Sequence, residues 1–177
     1  CYPNIVRTAE GKSVFVNVFE EEGFQYRPEE IKPLIAPQTK AIMVNSPANP
    51  TGNLMPPERM KAVVEFGKTV VSDEIYHGLV YEGKEHSILE FTRNALVING
   101  FSKLYAMTGW RLGYLIVPPE YIRTLQKMHQ NFFISANAFV QWAGIAALKE
   151  AEADVTRMRN IYNTRRKFII QKLRELG

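Results

Sequence analysis

The chain has a single cysteine, Cys1, so no internal disulfide can form. That usage fits a reducing compartment. No apolar run approaches the ~20 residues that a membrane-spanning helix requires, and no signal-peptide pattern is visible. These absences lead us to expect a cytoplasmic protein with no membrane partner. Neither sign of charge dominates: 22 Lys and Arg face 18 Asp and Glu, a net charge of +4. No internal repeat and no low-complexity segment occurs, which removes solenoids and disordered tails from consideration. No metal site is expected. What remains is an ordinary globular composition, 46% hydrophobic over 177 residues, enough for one domain or one domain plus a piece of another. The chain opens Cys-Tyr-Pro rather than with Met and stops soon after a long helical pattern. We read it as a fragment of a longer protein.

Strand and helix signals alternate along the chain. Ser13–Phe19 alternates apolar and polar residues and reads as a strand. Pro28–Ile35 reads as a short helix, with Pro28 at a permitted first-turn position. Ala41–Val44 and Thr69–Ser72 read as short strands on either side of an amphipathic helix from Pro57 to about Lys68. Ala95–Asn99 and Leu112–Val117 read as buried strands. Helical patterns follow over about Pro119–Gln130, Asn137–Lys149 and Asp154–Leu176. Apolar strands alternating with helices predict an α/β fold, a three-layer α/β/α arrangement with a mostly parallel sheet.

In such sheets ligands gather at the carboxyl ends of the strands. Polar residues of interest fall there: Asn49 after the Ala41 strand, Asp73 and Tyr76 after the Thr69 strand, Ser102 and Lys103 after the Ala95 strand. A lysine at the end of a buried strand is costly unless its amine is used. Its usual uses are a Schiff base with a carbonyl compound or a salt bridge. Ser102, the neighbouring glycines and Arg111, eight positions after the lysine, suit a bound phosphate. A ligand with both a carbonyl and a phosphate points to pyridoxal phosphate (PLP). Each residue has a plainer reading taken alone. Asn45-Ser-Pro-Ala-Asn-Pro-Thr-Gly52 could be a tight loop. Asp73 could cap a turn, Lys103 could be a structural ion-pair partner, and Arg111 a surface charge. Either Asp73 or Glu74 could meet a ligand cation, and strand alternation puts them on opposite faces. The joint occurrence in this order is what the plainer readings explain poorly.

The segments Ser46-Pro-Ala-Asn-Pro-Thr-Gly52, Val71-Ser-Asp-Glu-Ile-Tyr76, Asn99-Gly-Phe-Ser-Lys103 and Met107-Thr-Gly-Trp-Arg-Leu-Gly-Tyr114 resemble the large domain of class I/II aminotransferases, PLP-dependent enzymes of fold type I. The likeness runs along nearly the whole chain. It implies that residues 1–150 are a PLP-binding large domain lacking its N-terminal part. Residues 151–177 would then be a long helix leading toward a small domain outside the chain. It implies transfer of an amino group between an amino acid and a 2-oxo acid. Lys103 would form the Schiff base and later move the proton between substrate Cα and cofactor C4′. Asp73 would hold the pyridine nitrogen protonated, and a cationic ring is the better electron sink. Tyr76 and Asn49 would bond the ring 3′-oxygen, Arg111 and Ser102 would take the phosphate, and Tyr2 would stack on the ring. The resemblance also implies a homodimer for the full-length protein, with the partner subunit contributing to each site.

Departures from the family pattern are visible. Gly100 stands where many relatives carry a phosphate-binding serine, and Glu65–Val70 passes from helix to strand with almost no connection. The family's glycine-containing phosphate loop falls before Tyr2, and its carboxylate-binding arginine falls in the small domain. We therefore expect the isolated chain to be incomplete as a catalyst, and either to fold poorly alone or to expose apolar surface where the missing parts should pack. The same constellation serves PLP lyases and decarboxylases, and a truncated, non-catalytic domain is a further reading. Basic residues near the C-terminus, among them Arg157, Arg159, Arg165, Arg166 and Lys167, could suggest nucleic acid. With Val155, Met158, Ile161, Tyr162 and Phe168 as the complementary apolar stripe, they read instead as the solvated side of a helix, and no nucleic-acid partner is expected.

Overall fold

The computed structural model describes residues 2–177; Cys1 lies outside them. A four-stranded sheet forms the centre, in the order β1 (Ala41–Asn45), β2 (Thr69–Asp73), β3 (Ala95–Gly100), β4 (Gly113–Ile116). The β1–β2 and β2–β3 pairs are parallel and β3–β4 is antiparallel, so the sheet is mostly parallel as expected. The helices are α1 (Tyr2–Thr8), α2 (Pro28–Ile31), α3 (Pro57–Glu65), α4 (Pro119–Phe133), α5 (Ala138–Glu150) and α6 (Glu152–Leu176).

The parallel register sets Val44 beside Ser72 and Ser72 beside Val97, while Val70 lies beside Ala95. All five are buried, so they form one continuous face of the sheet. Met60 and Val63 of α3, together with Ile88, Tyr26, Ile31 and Met55, cover it. The faces follow from the period of two in a strand. Asp73 therefore belongs to the opposite face, whereas Glu74 sits with Ser72, its carboxylate accepting the Ser72 hydroxyl at 3.0 Å. The passage from α3 to β2 is as short as the sequence suggested. Gly67 N–H returns to Val64 O at 3.0 Å and the chain enters β2 two residues later.

Three expectations need correction. Ser13–Phe19 forms no strand. Alternation gives the segment two faces, but it pairs with none of β1 to β4, and Val14 and Phe15 stand in solvent. Pro28–Ile35 is not one α-helix: α2 stops at Ile31 and a 3₁₀ turn, Lys32–Leu34, continues. Pro33 has no N–H to give to the preceding turn, so the α-helical ladder cannot run through it. The Leu112 strand was expected to be buried, yet every residue of β4 is exposed. It lies at the sheet edge and, among the described residues, pairs with β3 alone.

Apolar surface is exposed well beyond β4, as anticipated. Phe132, Phe133 and Ile134 at the end of α4, and Trp142 on α5, are each more than two-thirds exposed. Among the described residues no helix is long and apolar enough to cross a membrane.

Candidate active site

β1, β2 and β3 end along one edge, since Asn45 pairs with Asp73 and Asp73 with Ile98. β4 runs the other way, and Gly113 at its start pairs with Gly100 at the end of β3. The segment between those two glycines leaves and re-enters the sheet at this same edge. Lys103 and Arg111 both lie on it. The topology thus brings Asn49, Asp73, Tyr76, Ser102, Lys103 and Arg111 to one rim.

Side-chain contacts join three of them directly, Lys103, Tyr76 and Asn49. The Lys103 amine lies over the Tyr76 ring, 5.5 Å from its centroid. The Tyr76 hydroxyl accepts from Asn49 Nδ2 at 3.1 Å. Asp73 Oδ1 accepts Ile75 N–H at 3.1 Å. Among the described residues no carboxylate lies within salt-bridge distance of Lys103. The structural ion-pair reading of the lysine therefore has no partner.

Arg111 and Ser102 are linked through Thr108. The Thr108 hydroxyl donates to Ser102 O at 2.7 Å, and Arg111 Nη1 donates to Thr108 O at 3.0 Å. Ala106 (φ 53°) and Arg111 (φ 57°) both take left-handed backbone conformations, which non-glycine residues seldom adopt. They fold the loop tightly and leave the Arg111 side chain exposed at the rim.

Tyr2 has a contact that its resemblance-based role does not include. Its hydroxyl donates to Asp73 Oδ2, across 71 positions of sequence. Burial raises the Tyr2 phenol pKa above its usual value, and the Asp73 hydrogen bond and negative charge raise it further. The proton therefore stays on the tyrosine.

Two organising residues were not singled out in the sequence. Asn45 Nδ2 donates to Asp73 O at 2.9 Å and to Pro47 O at 3.2 Å, and its Oδ1 accepts Asn49 N–H at 2.9 Å. One side chain thus fixes the Asn49 loop to the Asp73 strand. Glu74 is buried, and its Oε1 takes Ile88 N–H at 2.9 Å and the Ser87 hydroxyl at 3.1 Å. It closes the excursion that begins after β2. Asn45 was within reach of sequence reasoning, as a polar strand-end residue four positions before Asn49. Glu74 was considered only as an alternative to Asp73; no local pattern predicts its partners 13 and 14 residues away.

The model of the family Aminotransferase class I and II matches residues 1–177. A (5-formylfuran-3-yl)methyl phosphate transaminase of Methanocaldococcus jannaschii is 40% identical over 181 residues, covering 100% of this chain and 47% of that protein. An aspartate/prephenate aminotransferase of Thermus thermophilus is 40% identical over 184 residues, covering 99% and 48% respectively. The structure of the Thermus thermophilus aspartate aminotransferase with maleate superposes with a TM-score of 0.94 at 40% identity, over 99% of this chain and 48% of that one. The chain spans about half the length of the curated relatives it matches. With that family model matched from end to end, the chain belongs to the class I and II aminotransferases.

Proposed function

We propose that the full-length protein is a PLP-dependent aminotransferase that exchanges an amino group between an amino acid and a 2-oxo acid. The observation that carries this reading is the single rim shared by Lys103, Asp73, Tyr76 and Arg111. The donor set fits the cofactor. Each Asp73 oxygen has two acceptor positions and uses one, on Ile75 N–H and on the Tyr2 hydroxyl respectively. The carboxylate therefore retains capacity for a ring N–H. The Tyr76 oxygen accepts from Asn49, which leaves its own O–H to donate to the ring 3′-oxygen. Arg111 spends one N–H on Thr108 O, which leaves most of its fork for phosphate.

Bound PLP supplies an electrophilic carbonyl carbon and a ring that accepts an electron pair. The chain supplies placement and proton handling. In this reading the Lys103 amine holds the cofactor and then carries a proton between substrate Cα and cofactor C4′. Asp73 keeps a proton on the pyridine nitrogen, because an adjacent negative charge favours the cationic form. Tyr2, with its own proton retained, donates to Asp73 and keeps it oriented. Ser102 and Arg111 fix the phosphate end. An amino acid and a 2-oxo acid are the substrates, and a homodimer is the assembly carried over from the family.

The test is borohydride reduction of the full-length protein with PLP, followed by peptide mapping. The label should fall on Lys103, and Lys103→Ala should lose both the label and the visible absorption band. An amino acid should be converted to its 2-oxo acid with the cofactor left as pyridoxamine phosphate. Label at another residue, or none, would overturn the proposal.

A further inference from the structure

After Asp73 the chain leaves the sheet and folds back on itself at Ser87 and Ile88 before re-entering the sheet at Ala95, and three sets of contacts hold this excursion. The first is the buried Glu74 carboxylate on Ser87 and Ile88. The second is Glu85, whose two carboxylate oxygens accept the Gly78 N–H at 2.9 and 3.0 Å. The third lies at the tip and comes from outside. Arg166 of α6 pairs with Glu82 through Nη2 and lays its guanidinium over the Tyr81 ring, 5.3 Å from the centroid. Arg166 is itself steadied by Nε donating to Asn163 Oδ1 at 3.2 Å. Tyr76 and His77 lie between the first and second sets. Gly78, at the second, packs against Leu104, the neighbour of Lys103.

A lone surface ion pair contributes little to stability. Arg166 differs not through the pair itself, since the Glu82 side chain is 77% exposed, but because its own side chain is 29% exposed and stacks on a ring while pairing with that carboxylate. A planar guanidinium can make both contacts at once, whereas an ammonium cannot reproduce the stacked geometry. The Glu82 carboxyl is held below its usual pKa by the Arg166 hydrogen bond first and by the Arg166 charge second.

We infer that Arg166 is a positioning residue. Through Tyr81 and Glu82 it holds the excursion that carries Tyr76, and so sets the Tyr76 hydroxyl against Asn49 and the Lys103 amine. The function assigned to Tyr76 here rests on the reading given above, while the mechanical link rests on the contacts alone.

Two measurements on the full-length protein test this, and their failures are distinguishable. With PLP bound, the pH midpoint of the visible band reports on the group that Tyr76 faces. Arg166→Met should move the midpoint in the same direction as Tyr76→Phe, by about 0.3 pH unit or more, a twofold change in the proton equilibrium. Arg166→Lys should recover part of the shift. In the Tyr76→Phe background Arg166→Met should add nothing, since the effect passes through that hydroxyl. Equal shifts in both backgrounds, or none in either, overturn the inference. Without cofactor, amide hydrogen exchange over residues 76–79 should rise several-fold in Arg166→Met. It should stay unchanged in Arg157→Ala, which removes a different α6 ion pair, the one with Asp154. Unaltered exchange in Arg166→Met overturns the link even if the protein binds no PLP. A wild-type protein with no visible band overturns the cofactor reading alone.

Discussion

Leu104 occupies the space that a side chain on Gly78 would need: a Cβ built there would lie 2.5 Å from Leu104 Cδ1 and 2.8 Å from Cδ2. Gly78 also has φ +85°, a conformation that residues with a Cβ resist. Gly78→Ala should therefore cost about 1–2 kcal/mol from the backbone alone and push Leu104 aside, carrying Lys103 with it. Urea unfolding should show the loss, and borohydride labelling of Lys103 should fall several-fold. Leu104→Ala in the same chain should restore part of the labelling without removing the backbone cost. Undiminished labelling in Gly78→Ala would mean that the two loops move independently.

Asn45 makes three hydrogen bonds that tie the Asn49 loop to the Asp73 strand. Asn45→Ala leaves Asp73 O, Pro47 O and Asn49 N–H without that partner, and we expect a loss of about 1–3 kcal/mol. PLP affinity should weaken as well, because Asn49 would no longer be held against Tyr76. Asn45→Asp keeps the acceptor for Asn49 N–H and loses both donors. Equilibrium dialysis should rank wild type above Asp and Asp above Ala. Equal affinity in all three would remove Asn45 from the site.

Tyr26 is buried in the core, with its hydroxyl donating to Arg59 O. Burial raises its pKa well above the ordinary phenol value near 10, and the nearby Arg59 charge opposes only part of that. The folded chain therefore keeps this proton at alkaline pH while the unfolded chain releases it. Stability is fully present below about pH 10 and falls as pH rises beyond that. Tyr26→Phe should be less stable at neutral pH through the lost hydrogen bond. Its stability should also fall less steeply between about pH 10 and 11.5. Denaturant midpoints across that range give the comparison, and parallel slopes in the two proteins would contradict it.

The sheet was legible because its strands are short apolar runs that also obey a period of two. Val70 and Ser72 bracket Val71, and the sequence alone separates the faces of Asp73 and Glu74. The rim was legible because the strand-end residues of a parallel sheet collect at one edge, whatever their neighbours. The Ser13–Phe19 segment shows the limit of that reading. Alternation describes the two faces of a segment, while a strand also needs a partner along its edge, and pairing is a long-range property. Arg166 illustrates the same point for the site. It stood in a group of basic residues whose plain reading was solvent exposure, and its contacts with Tyr81 and Glu82 lie more than 80 positions away. The hydrogen bond from Tyr2 to Asp73 joins residues 71 apart, a pairing that no local pattern encodes.

Gly144 on α5 is buried, and a Cβ there would come within 2.6 Å of Leu112 Cδ2 and 3.2 Å of Phe101 Cζ. Phe101 begins the segment that holds the lysine, and Leu112 ends the one that holds the arginine. A single helix position thus presses on both ends at once. Substitution at Gly144 should disturb the amine and the guanidinium together, so defects in covalent capture and in phosphate grip should appear as one phenotype.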